Sequence, residues 1–415
     1  MKARAFALPL LFLMLSSRVP SPNDPAYTQG AQWGLKRIGS FQSWQRTRGS
    51  GSVVAVVDTG VDLKHPDLRG RIVTGKDFAD GSGSVQDVNG HGTLIAGIVA
   101  ATTNNGIGVA SVAPQAKIMP IRVLGSDGTG TSTNVAEGIR WAAAHGANVI
   151  NLSLAQEHAH GLAVSDALLH DPDVDIAINQ AVADGLVVVV AAGNDAAGGK
   201  SQTAYESSSP GVMVVGASTN RDRRAAYSNY GSGLDILAPG GGSATDARDS
   251  GCKDPNFVVS TWWDPDHKRS AYGGACGTSM SVAFVAGVAA QLHSLGYSNV
   301  EAVARIEHTA LDLGPKGFDA QSGWGRLDAS RAIGAVPADA PARPIQTQSK
   351  AAAAPTPVDV EPAPPAPAGA LHAQSPAGDD PRPARMPIAV AAALVAVACV
   401  SHGARAARRI SRRSA

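Results

Sequence analysis

Residues 52–58 read SVVAVVD. Five apolar side chains in succession, with no polar position between them, describe a strand covered on both faces rather than one with a wet side. The run closes on a carboxylate, Asp58. Outward from it the chain alternates. HGTLIAGIVAAT (91–102) reads as helix and KIMPIRVL (117–124) as strand. NVAEGIRWAAAHG (134–146) has helical spacing and a glycine stop, and NVINLSL (148–154) is a strand. DIAINQAVADG (175–185) reads as helix and LVVVVAAGN (186–194) as strand. VMVVGAST (212–219) and LDILAPG (234–240) are further strands, followed by helices from Ser279 to about Leu295 and across 299–310. Apolar runs separated by helices predict an α/β fold with a mostly parallel sheet covered on both sides. Ligands bind such sheets beyond the carboxyl ends of the strands. No internal repeat interrupts the span from about 24 to 334, which reads as one domain.

The ends differ from this middle. Lys2 and Arg4 precede the apolar run AFALPLLFLML (5–15), the form of an export signal over residues 1–20. An uncleaved N-terminal anchor is the alternative. Residues 335–386 are dominated by Pro and Ala without an apolar period, which predicts an extended spacer. IAVAAALVAVACV (388–400) lies in a predicted membrane span over 387–404, and the Arg-rich tail 405–415 is predicted to stay on the cytoplasmic side. The expectation is an exported body at the cell surface or on the periplasmic face of the membrane, anchored by a single C-terminal helix. A sorting tail that is later removed is the alternative, and no LPxTG motif is present. The 35 basic and 34 acidic residues nearly cancel, so no electrostatic field points to nucleic acid. Cys399 belongs to the apolar tail, whereas Cys252 and Cys276 lie in the body. In an exported protein these two are expected to pair, closing a loop worth about 3–4 kcal/mol, with two free thiols as the alternative. No Cys/His spacing suits zinc.

Polar residues stand at the ends of the buried elements. Asp58 opens DTGVD, which an Asx-turn would also explain. His91 sits among glycines in NGHGT (89–93), and Asn194 ends AAGN (191–194). Ser279, in GTSMSVAFVAG (277–287), heads an uncharged helix, where an N-cap is the plain alternative. Taken together they are the parts of nucleophilic acyl transfer. Ser279 would be the nucleophile, His91 the base, and Asp58 the group that orients the imidazole. The Asn194 side chain, the Ser279 N–H and the positive end of the helix would bind the oxyanion.

At these residues the chain resembles the subtilisin-type serine proteases, nearest a thermitase-like branch. The three signature blocks are DTGVDLKHPDL (58–68), HGTLIAG (91–97) and GTSMSVAFVAG, with AAGN as the oxyanion block. The resemblance spans roughly residues 22 to 333. It implies a three-layer α/β/α sandwich over 21–334, monomeric in its soluble domain, with a polypeptide as substrate. The substrate would lie between Gly128-Thr129-Gly130 and Ser153-Leu154-Ala155. Ala191-Ala192-Gly193 would complete a primary pocket whose small, uncharged walls favour an apolar P1 side chain. The resemblance also implies a structural calcium ion. Its ligands would be the side chains of Asp24, Asp67 and Asn105 and the carbonyls of Thr102, Ile107 and Val109, around TNNGIGV (103–109). Such an all-oxygen set suits Ca²⁺.

There are departures. Ala283 and Phe284 replace the usual Pro and His of the last block, Leu94 a usual His, and Ala155-Gln156 a usual Gly-Gly. The insertion 243–276, carrying Cys252, Trp262 and Trp263, is expected to overhang the cleft. The predicted signal runs almost directly into PNDPAY (22–27), leaving no room for a long prodomain, so the domain is expected either to fold unaided, helped by calcium and the disulfide, or to be assisted by another protein. An α/β-hydrolase esterase fits less well, since Gly277-Thr278-Ser279-Met280-Ser281 lacks the second glycine of G-x-S-x-G. A catalytically silent peptide-binding pseudoprotease is opposed by the four intact positions. Activity is expected to rise through about pH 6–7, because His91 must be neutral to act as a base.

Overall fold

In the computed structural model, the described residues are 21–154, 171–196, 203, 205, 207, 209–245, 252 and 256–335. The predicted signal, the spacer from 336 onward, the span 387–404 and the tail 405–415 lie outside them, as does Ala155. Among the described residues no helix is long and apolar enough to cross a membrane.

In chain order the elements are α1 (Pro25–Thr28), α2 (Trp33–Arg37), α3 (Ser40–Ser43), β1 (Val53–Asp58), β2 (Lys76–Asp77), α4 (His91–Ala100), β3 (Lys117–Arg122), α5 (Ser132–Ala144) and β4 (Val149–Leu152). Then follow α6 (Pro172–Ala183), β5 (Val187–Ala191), β6 (Val212–Ser218), β7 (Ile236–Pro239), β8 (Val258–Asp264), β9 (Arg269–Ala275), α7 (Thr278–Ser294), α8 (Asn299–His308) and α9 (Ala329–Ala332). Seven strands form one sheet in the order β2-β3-β1-β4-β5-β6-β7, paired in parallel throughout.

The doubly apolar strands explain the layers. Val54 and Val56 of β1, Val189 of β5 and Met213 of β6 join one core with α4, α7 and α8. Their neighbours Ala55, Val57, Val188 and Val190 join a second core, on the opposite face, with α5 and α6. Each fully buried aliphatic side chain contributes roughly 1.5–3 kcal/mol to holding the layers together. The expected three-layer sandwich is therefore the observed one. The helix starts follow local chemistry. Thr131 caps α5 by accepting from Asn134 N–H, and Asp171 caps α6 by accepting from Asp173 N–H, with Pro172 at the first helical position. Helix α7 is buried along almost its whole length, which is why it carries no charge.

One element, inside the insertion 243–276, was only weakly marked in the residues. Residues 258–275 form an antiparallel hairpin, β8–β9, with Trp262 opposite Ala271. It does not stand over open space. Ser260 Oγ donates to Leu94 O at 2.8 Å and Thr261 Oγ1 to Thr93 O at 2.6 Å, so the hairpin lies along α4. Flanking it, Cys252 before β8 and Cys276 after β9 have Cα atoms 5.7 Å apart with their sulfurs at bonding distance, packed with Ala217, Ala225 and Tyr227.

Candidate active site

Asp58 is the last residue of β1 and His91 the first of α4, both buried. His91 Nδ1 lies 2.8 Å from Asp58 Oδ1 and 2.9 Å from Oδ2. A carboxylate only accepts, so Nδ1 carries the hydrogen, and in the neutral imidazole the lone pair is then on Nε2. Thr59 N–H also donates to Oδ1, at 2.7 Å. This approach requires glycine at 92. A Cβ there would lie 2.1 Å from the Gly60 carbonyl oxygen and 3.2 Å from the Asp58 side chain.

Ser279 is not an N-cap. That place belongs to Gly277, and Ser279 sits inside the first turn of α7. Its hydroxyl donates to Ser153 O at 3.2 Å, while Ser153 Oγ donates back to Ser279 O at 3.0 Å. Asn151 Nδ2 in turn donates to Ser153 Oγ at 2.8 Å. The nucleophile candidate is thus pinned to the carboxyl end of β4, its hydroxyl turned toward Ser153. Asn194 lies just beyond β5. Its Oδ1 accepts from Thr278 N–H at 3.0 Å and Thr278 Oγ1 at 3.1 Å. With Oδ1 held this way, Nδ2 is the end turned away from Thr278. The structure therefore joins Asp58 to His91, and Asn194 to the helix start that carries Ser279. Helices α4 and α7 pack against each other.

The predicted cleft segments are at the same edge of the sheet. Gly128, Thr129 and Gly130 form a tight loop after β3, in which Gly125 N–H donates to Thr129 O and Gly130 bridges Leu124. Ser153 and Leu154 follow β4, and Ala191 ends β5 with Ala192 and Gly193 just after it, all of them buried.

The predicted calcium residues converge away from this edge. Asp24 and Asp67 are buried side chains. Asp24 accepts from Asn104 N–H at 2.9 and 2.8 Å, and Asp67 accepts from Asn105 Nδ2 at 2.7 Å and Val109 N–H at 3.0 Å. Thr102 N–H donates to Asp67 O, and Asn105 Oδ1 accepts from Ile107 N–H. Burial pushes the Asp67 carboxyl up to about 6 and raises Asp24, and the two carboxylates oppose each other's charge. Two buried carboxylates short of positive charge, beside a loop of carbonyls, fit a hard cation. Among the described residues no three His, Cys, Asp or Glu cluster as a metal site. The candidate set accordingly has only two carboxylates, and its other oxygens would come from amide and backbone groups.

Two contributors escaped the sequence reading. Thr278 sets the sense of the Asn194 amide. Asp87, in QDVNG, gathers hydrogen bonds from both sides of His91. Neither announces itself by residue type, since threonine and aspartate are ordinary at helix starts and turns.

A family model described as the subtilase family matches residues 49–325. Thermitase from Thermoactinomyces vulgaris is 39% identical over 315 residues, 75% of this chain and 99% of that protein. Subtilisin BL from Lederbergia lenta is 38% identical over 289 residues, 69% of this chain and 93% of that protein. Among solved structures, a protease from Pseudoalteromonas arctica matches with a TM-score of 0.62 at 31% identity, covering 76% of this chain and 99% of that one.

Proposed function

The chain belongs to the subtilase family and is a subtilisin-like serine endopeptidase, and from that premise we propose that Ser279, His91 and Asp58 form its catalytic triad. The observation that supports this most is the buried Asp58 carboxylate on His91 Nδ1, which leaves Nε2 as the base. Ser279 Oγ swings from Ser153 O to His91 Nε2 and attacks the scissile carbonyl carbon as its proton passes to Nε2. The oxyanion is held by Asn194 Nδ2 and the Ser279 backbone N–H, one of the first-turn donors that a helix leaves without an internal partner. Collapse breaks the C–N bond, and the imidazolium returns its proton to the leaving amine. Water, deprotonated by His91, then hydrolyses the acyl-enzyme and restores the Ser279 hydroxyl. The substrate backbone lies between 128–130 and 153–155, with an apolar P1 side chain against Ala191, Ala192 and Gly193. Profiling with a peptide library tests that preference, and a basic or acidic P1 optimum would reject it. For the triad, hydrolysis of a peptide anilide is expected to vanish in Ser279→Ala, and hydrolysis that persists would refute it.

We further read Asp24, Asp67 and Asn105, with carbonyls of Thr102, Ile107 and Val109, as a structural calcium site. A bound calcium ion would supply the positive charge that the two carboxylates lack. We also read Cys252–Cys276 as a disulfide, which titration of a single thiol in the denatured full-length chain would support and three thiols would refute. Residues 1–20, 335–386, 387–404 and 405–415 are read as export signal, spacer, membrane anchor and cytoplasmic tail, placing the protease outside the membrane. Cell fractionation and external protease shaving test this, and a protein found in the cytosolic fraction would contradict it.

A further inference from the structure

Asp87 is buried and stands outside the triad. Its Oδ1 accepts from Thr59 Oγ1, Asn89 N–H and Gly90 N–H, each at 2.9 Å. Its Oδ2 accepts from Thr93 N–H at 2.9 Å and from Thr93 Oγ1. Five donors on two oxygens fill the roughly four lone-pair sites of a carboxylate and leave no place for a proton. Burial raises its carboxyl overall, and the donors from Thr93, Asn89 and Gly90 offset only part of that rise. The donor count favours the ionised form. The N-cap of α4, Gly90, has no side chain to offer, so a carboxylate three positions earlier does the capping.

An ordinary cap would stop there. Asp87 also reaches Thr59, the residue after Asp58, and Thr59 Oγ1 accepts from Gly92 N–H at 3.0 Å, the residue after His91. Thr93 Oγ1 likewise accepts from Asp62 N–H at 2.9 Å. One carboxylate thus ties the turn that follows the triad acid to the helical turn that carries the triad base. Resting on the triad reading above, we propose that Asp87 is a positioning residue for catalysis, holding β1 and α4 in the register that lets His91 Nδ1 meet both oxygens of Asp58. The charged groups around this junction are Asp58 and Asp62, from β1 and the turn after it. The hairpin β8–β9 contributes the uncharged Trp262 against Gly90.

The test uses the full chain in calcium, with kcat and KM measured across pH per active site titrated by a fluorophosphonate. Thermal midpoints are measured alongside. Asp87→Asn is expected to lower kcat about tenfold to a hundredfold, the scale of a small misplacement of reacting groups, with little change in KM. Its acid limb is expected to move to lower pH by on the order of half a unit, because the lost negative charge no longer favours the imidazolium. Thr59→Val is expected to lower kcat without moving the limb, since the charge stays, and Thr59→Ser to retain kcat. Full kcat per titrated site with an unmoved limb in folded Asp87→Asn would overturn the proposal. If Asp87→Asn does not fold, equal kcat in Thr59→Val and Thr59→Ser overturns it and unequal kcat supports it. A wild-type protein that does not label at Ser279 overturns the triad reading and this inference with it. A labelled wild type with unaffected variants overturns the inference alone.

Discussion

Asp87, just before α4, and Asp67, on the 3-10 turn Pro66–Leu68 beside Tyr272 of the hairpin, are both withdrawn from water, yet their surroundings treat them differently. Around Asp87 the fold supplies five donors and no facing carboxylate on the same cradle. Around Asp67 it supplies Asn105, Val109 and Tyr272, and sets Asp24 nearby as a second negative charge. The first arrangement is complete within the chain, and it serves geometry. The second is left with uncompensated charge at a place remote from chemistry, and it suits an ion taken from solution. Asp58 belongs with the first kind, because its buried charge is matched by His91 and the Thr59 N–H.

If that contrast is right, disturbing the two regions changes different observables. The largest effect is expected at Asp58→Asn, which reverses the tautomer demanded of His91 and should lower kcat by about 10⁴-fold with little loss of folded protein, as read by steady-state kinetics and circular dichroism. Next is Asn194→Leu, which removes the proposed side-chain oxyanion donor and should cost about 10²–10³ in kcat with KM nearly constant. In the other region the readout is stability. Chelation is expected to lower the thermal midpoint, by a loss of about 2.7 kcal/mol relative to calcium at a hundred times its Kd. Asp67→Asn should abolish that difference, and identical midpoints for wild type with calcium and with chelator would erase the contrast. The smallest expected effect tests the hairpin that borders both regions. Thr261→Val removes the bond to Thr93 O and should destabilise by about 1 kcal/mol in denaturant melts.

Much of this was legible in the residues because buried parallel strands leave a plain signature. VVAVV, VINL and VVVV have no polar alternation, and the sheet puts alternate side chains into two different cores. Asp58, His91, Asn194 and Ser279 stood out because polar groups at the ends of such runs need a reason to be there. The hairpin left weaker traces. Its strands are half-buried, contain glycine and serine, and owe their place to Ser260 and Thr261 bonding to the carbonyls of α4. Strand β2 is two residues long and exists only by pairing with β3. Asp87 was hidden for a different reason. In QDVNG it looks like a turn residue, and its role comes from donors at positions 59 to 93 that only the folded chain assembles.

The account depends on Ser279 being an activated nucleophile with His91 as its base. Mapping a fluorophosphonate adduct by mass spectrometry tests this most directly. The expected result is a single adduct on Ser279 in the wild-type protein, formed orders of magnitude more slowly in His91→Ala. An adduct on another residue, no adduct at all, or labelling that proceeds undiminished without the imidazole would contradict it.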